Sequence, residues 1–131
     1  MPPQPSRDHG LALATMITDT EFIAAADRTL STIGDALDAA LAASDVDLDW
    51  SLNEGILEIE CEDGSKLILN RHVPNRELWV AARSGGFHFR PRDLAWRDTR
   101  AGTELGAALA DLLRAQAGLA VDLPALAAPP A

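Results

Sequence analysis

The chain has 131 residues, 47% of them hydrophobic, which suits one globular domain with an ordinary core and is too short for two. Its net charge of −9 argues against nucleic acid and anionic membrane as partners, and its apolar runs are too short to span a bilayer. A single cysteine, Cys61, excludes an intramolecular disulfide framework and fits a reducing, cytoplasmic setting.

Residues 1–18 open with three prolines and show no period, so they read as a disordered leader without the cationic start and long apolar stretch of a secretory signal. A helix is expected to begin near Asp19 or Thr20. Thr20 followed by Ile23 lacks the glutamate of a full capping box, while Asp19 and Glu21 suit a helix N-terminus electrostatically. Phe22, Ala26, Leu30, Ile33, Leu37 and Leu41 recur at spacings of three and four and form one apolar stripe. Asp27, Asp35 and Asp38 fall together on the outward side of the same wheel. The helix is expected to end near Ala43.

The next segment, Asp45 to Trp50, alternates carboxylates with apolar residues. On a strand, Asp45, Asp47 and Asp49 would share one side, with Val46, Leu48 and Trp50 on the other. Five or six short strands are expected from here. Ser51 to Gly55 reads as the first turn, Asp63-Gly64 as a strong hairpin signal, Ser84 to Gly86 as another turn, and a last strand lies around Leu94–Arg97. Cys61 continues the alternation of Leu57 and Ile59 and reads as a buried small apolar residue. A final helix is expected from about Thr103 to Ala117, with Leu105, Leu109, Leu112 and Leu113 buried and Gly118 as its C-cap. Residues 119–131 are rich in Pro and Ala and read as a flexible tail. Helix, antiparallel meander, helix makes an α+β two-layer sandwich, with both helices on one face of the sheet and residues 19–118 as the folded unit.

Alternation then assigns the open face. Leu67, Leu69, Leu78, Val80, Phe87 and Phe89 point to the core, leaving Ile68, Asn70, His72, Trp79 and His88 outside. An outward Trp amid Asn and His suits partner binding, since Trp truncation at binding hot spots costs about 2 kcal/mol or more. His72 and His88 imply no third metal ligand. Charge is segregated along the chain. Asp19 to Asp63 holds thirteen acidic residues and one basic, Arg28, and Gly64 to Arg100 holds eight basic and three acidic. An acidic half attracts cations or a basic protein surface. Same-side strand residues stand about 6.5–7 Å apart, and a hard cation needs oxygen ligands at about 2–2.6 Å, so such carboxylates hold ions loosely and with poor selectivity.

Asn70 to Trp96, "NRHVPNRELWVAARSGGFHF" with the later Trp, resembles the sheet signature of the frataxin family, in particular its bacterial CyaY branch. "TEFIAAADRTLSTIGDALD" is similar to that branch's first helix, and "GILEIECEDGSKLILNR" to its second and third strands. The resemblance runs from Asp19 to Gly118. It implies an α/β sandwich that binds iron weakly, ferrous or ferric and several ions at a time, through an acidic ridge. It also implies contacts with the cysteine desulfurase and scaffold of iron–sulfur cluster assembly, whose activity the protein modulates, and a monomer in the absence of iron. Carried over by position, the ridge is Asp19, Asp27, Asp35, Asp38, Asp45, Asp47 and Asp49. The partner-binding residues are Asn70, Trp79 and His88, joined by His72, which stands where the family usually has Gln. Gly34 and Ala39 replace residues often acidic in bacterial members, so this ridge is thinner. A ferrous-oxidising enzyme and a generic acidic interaction domain are the alternatives. Against the enzyme, the sequence offers no nucleophile–base pair, phosphate loop or di-iron type His/carboxylate cluster.

Overall fold

The computed structural model describes residues 17–131, so the expected leader lies almost wholly outside the described residues. Its last two positions belong to the fold. Ile17 packs against the core, and Thr18 caps the first helix, α1 (Asp19–Ala42). The Thr18 hydroxyl accepts the Glu21 N–H at 3.1 Å, and the Glu21 carboxylate accepts the Thr18 N–H at 2.8 Å. This is a full capping box, set one residue ahead of where the sequence reading began the helix. Phe22, Ala26, Leu30, Ile33 and Leu37 are buried as the spacing predicts, and Leu41 is half-buried where the helix runs past the sheet.

Six strands follow: β1 (Leu48–Asn53), β2 (Ile56–Cys61), β3 (Lys66–His72), β4 (Glu77–Ala82), β5 (Gly85–Arg92) and β6 (Ala95–Asp98). They pair in sequence order, all antiparallel. The first turn is tighter than expected, because Ser51, Leu52 and Asn53 are strand and only Glu54 and Gly55 turn, both with positive φ. A Cβ at Gly55 would also lie 2.5 Å from the Arg71 side chain, which would have to shift to admit it. Asp45 and Asp47 precede β1 and are not strand residues; of the three carboxylates expected on one strand face, only Asp49 is on the strand.

The second helix, α2 (Leu105–Ala117), starts two residues later than expected, because Glu104 is its cap and accepts the Gly106 and Ala107 N–H groups. Gly118 closes it in the left-handed conformation. Leu105, Leu109 and Leu113 are buried, and Leu112 only partly. Both helices cover one sheet face, and the core lies between the layers.

Residues 119–131 are not the loose tail that their composition suggests. Leu119, Val121, Leu126 and Ala128 are buried, Ala127 bridges Ala95 of β6, and the Leu126 N–H reaches the Glu104 carboxylate at 2.9 Å. The spaced apolar side chains outweigh the Pro/Ala signal. The segment closes over Trp96, which is fully buried, packs edge-on to Phe22 and donates its indole N–H to the Thr29 hydroxyl at 3.0 Å.

Gly34 fixes the other end of α1 on the sheet. A Cβ there would lie 2.6–2.8 Å from the Trp50 ring, and that indole is held by its N–H bond to Asp38 at 2.8 Å. Gly→Ala inside a helix ordinarily gains about 1 kcal/mol. Here the overlap reverses the sign: Gly34→Ala is expected to destabilise by about 1–3 kcal/mol in urea unfolding. Combining it with Trp50→Leu is expected to remove the penalty; a stabilised single variant would show that α1 does not sit so close.

Candidate functional site: an acidic edge and an aromatic stack

The two predicted groups of residues occupy different parts of the molecule. The seven aspartates follow α1 and the start of β1, and the structure divides them. Asp19 pairs with Arg76 at 3.0 Å, Asp27 with Arg71, and Asp38 accepts the Trp50 indole. Each of these joins α1 to the sheet or to the turn before β4. Asp35, Asp45, Asp47 and Asp49 are exposed and have no ion pair or side-chain hydrogen bond among the described residues. Asp49 stands opposite Glu60 in the β1–β2 register, a like-charge pair that destabilises the sheet by itself. Among the described residues, no three His, Cys, Asp or Glu side chains come together as a metal cage. The donors are all oxygen, which suits a hard cation held by one or two carboxylates and completed by water.

The four residues expected to bind a partner, in contrast, form one contiguous object. Register places Asn70 opposite Trp79, and Trp79 opposite His88. His72 stacks on one face of the indole at 3.7 Å between centroids, and His88 on the other at 4.4 Å, both rings within 10° of parallel. Aromatic pairs of this kind contribute about 0.5–1.5 kcal/mol each beyond the area they bury. The stack thus fixes a rigid three-ring platform in the middle of the open sheet face, presenting ring edges because imidazoles cover both faces of the indole. The His72 Nδ1 is buried beneath it without a partner among the described residues.

Glu77, which the sequence reading passed over, organises this platform. It shares the open face with Trp79 by alternation, yet it is only 2% exposed, because the aromatic rings and Arg90 lie over it. One carboxylate oxygen accepts the Trp79 indole N–H at 2.8 Å and faces the His88 Nδ1 at 3.6 Å. The other accepts from Arg90 at 2.7 Å. Burial pushes the carboxyl up. The hydrogen bonds from Trp79 and Arg90 and the nearby charges of Arg90 and His88 outweigh it and hold Glu77 below the ordinary carboxylate range. The available signal was the position itself: an acid two residues before an outward Trp has to lie beside it.

The family model described as "Frataxin-like domain" matches residues 15–119. A Dechloromonas aromatica protein named iron-sulfur cluster assembly protein CyaY is 52% identical over 106 residues, 80% of this chain and 97% of that protein. One of the same name from Cupriavidus metallidurans is 44% identical over 107 residues, 82% and 96% of the two chains. Among solved structures, Psychromonas ingrahamii frataxin superposes with a TM-score of 0.73 at 31% identity, covering 81% of this chain and 97% of that one. A trimeric yeast frataxin complexed with ferrous iron superposes with a TM-score of 0.64 at 25% identity, covering 72% and 86%.

A carboxyl with a depressed folded-state pKa contributes stability above its unfolded pKa and loses it as the pH falls through the folded value. Glu77→Gln is therefore expected to lower stability by about 1–2 kcal/mol at neutral pH. The gap to the parent protein is expected to close in unfolding experiments taken down through and below the carboxylate range. A gap that stays constant with pH would mean the lost charge is not what matters.

Proposed function

The chain belongs to the frataxin family, and from that membership we propose that it serves iron–sulfur cluster assembly as a regulatory binding module rather than as an enzyme. The relatives named for that process cover nearly the whole fold, acidic edge and stack included. Iron is its cargo, taken up weakly by Asp35, Asp45, Asp47 and Asp49, the carboxylates that make no internal contacts among the described residues. Asp19, Asp27 and Asp38 contribute through the field, because their oxygens already face Arg76, Arg71 and Trp50. The observation that carries this reading is the pair of surfaces: a row of unneutralised carboxylates at one edge and a preorganised Trp79 platform in the centre. The row suits cations and the basic surface of a cysteine desulfurase, with fast, salt-dependent association. The platform suits the scaffold, with His72, Asn70 and His88 around the indole. No helix among the described residues is long and apolar enough to cross a membrane, and we place the protein in the cytoplasm, as a monomer when iron is absent.

Cation binding relieves like-charge repulsion and stabilises the native state by linkage. At ten times the dissociation constant the gain is about 1.4 kcal/mol, or roughly 3–6 °C in melting temperature. Asp45→Asn with Asp47→Asn is expected to halve that rise and to raise the metal-free melting temperature slightly. Asp27→Asn is expected to lower the metal-free value, by up to about 1 kcal/mol, because it breaks a partly exposed ion pair. Anaerobic thermal melts with and without millimolar ferrous iron check both signs, and an unchanged melting temperature with iron would remove the cargo reading.

Trp79→Ala is expected to weaken capture of the scaffold at least thirtyfold, in line with about 2 kcal/mol for a central aromatic anchor. Removing the charges of Asp35, Asp45, Asp47 and Asp49 is expected to weaken capture of the desulfurase and flatten its salt dependence. Calorimetry with each purified partner tests this, and parent-like binding by both variants would end the docking reading.

A further inference from the structure

The far edge of the open sheet face carries a charge imbalance that neither the core nor the stack requires. Arg90 of β5 and Arg97 of β6 are register partners, and both lie on the face away from the helices, since Phe89, Pro91 and Trp96 are buried on the other. Like charges at paired positions destabilise a sheet. Glu77 answers Arg90 only, and its other oxygen is occupied by the Trp79 indole. Arg97 donates a long bond, 3.4 Å, to the Gly102 carbonyl. Arg92, on the same face two residues beyond Arg90, is exposed, and so is Arg100 just past the end of β6. Arg92, Arg97 and Arg100 form no ion pair among the described residues. Arg100 and His88 line a cleft of about 260 Å³ that adjoins the stack, together with Asp98, whose Oδ1 is taken up by the Arg100 and Ala101 N–H groups.

The geometry points to the β5–β6 edge as a carboxylate-binding strip that seats an acidic segment of a partner protein against the flank of the Trp79 stack. Arg90 and Arg92 are about 6.5–7 Å apart along one strand face, the same repeat as alternate side chains of an extended peptide. Guanidinium groups pair with carboxylates in a planar, two-pronged geometry. The aromatic platform beside them offers apolar contact that an inorganic anion does not use. The chain's overall charge of −9 disfavours a polyphosphate strand. This surface stands apart from the iron and desulfurase reading, which concerns cations and basic partners at the opposite edge.

The test is titration of the full-length, isotope-labelled protein with a hexaglutamate peptide, followed by NMR. The peptide is expected to shift the backbone amides of Arg90, Arg92, Arg97 and His88 and the Trp79 indole signal, with affinity falling as salt rises to ~0.2 M. Arg92→Gln with Arg97→Gln is expected to weaken binding about tenfold. Because it relieves the paired charges, it is also expected to leave the melting temperature unchanged or raise it by about 1–2 °C. Arg114→Gln, on α2, is expected to bind like the parent. Equal binding by the double variant, or a clear fall in its melting temperature, would overturn the assignment. So would an equal response to inorganic phosphate or a DNA duplex. Self-association that the double variant abolishes would give the strip to the acidic edge of a second copy and overturn it as well.

Discussion

A six-stranded meander covered by helices on one face only is the constraint from which the rest of this molecule follows. Every strand sends alternate side chains into the layer beneath α1 and α2, and those positions are claimed by packing: Leu57 and Ile59, Leu67 and Leu69, Leu78 and Val80, Phe89, Trp96. The intervening positions face away and escape that demand. Their composition is therefore informative in a way that the core is not. A sheet needing only solubility would intersperse its charges. Here Asp49, Glu58 and Glu60 lie on β1 and β2, the stack of His72, Trp79 and His88 occupies the middle, and Arg90, Arg92 and Arg97 lie on β5 and β6.

The centre of that face is held by a buried negative charge. A carboxylate taken out of water is expensive unless it is paired and hydrogen-bonded. Glu77 meets both conditions through Arg90 and the Trp79 indole. The bond from the indole N–H limits the rotation of the ring, and the flanking imidazoles limit it further. Orienting an aromatic anchor before a partner arrives lowers the ordering cost of binding. The platform is thus built by electrostatics at its base and by ring stacking at its surface.

Much of this was legible in the residues. Period 3.6 in α1 and period 2 in the strands place most of the buried residues, with Leu41 and Phe87 only partly buried, because burial on one face is a local, repeating demand. The outward set Asn70, His72, Trp79 and His88 follows from the same alternation. What escaped was set by a tertiary partner or by a competing local signal. The capping box lies at Thr18 and not at Thr20, because Glu21 stands three residues after the first and Ile23 three after the second. Leu126 and Ala128 were hidden by the prolines around them, and their burial follows from docking on β6 and its turn, where Ala127 bridges Ala95 and the Ala128 N–H reaches the Leu94 carbonyl, some thirty residues away. Ion pairing of Asp19 and Asp27 required knowing that Arg76 and Arg71 lie against α1.

That last division changes how the acidic edge should be understood. Seven aspartates in sequence suggest seven potential ligands, yet three of them fasten α1 to the sheet and the turn before β4, and a cation that drew their oxygens away would loosen the layer contact. The four that remain are exposed, so an ion taken up there as proposed would keep most of its water and exchange readily. Weak, reversible holding would fit the regulatory module proposed above, because a tight cage would retain the ion. The fold therefore separates two uses of one residue type along a single helix and its following strand. Carboxylates with a partner on the sheet or its turns tie α1 down, and those without one stay unneutralised at some expense in stability, which is the condition for attracting a positive partner.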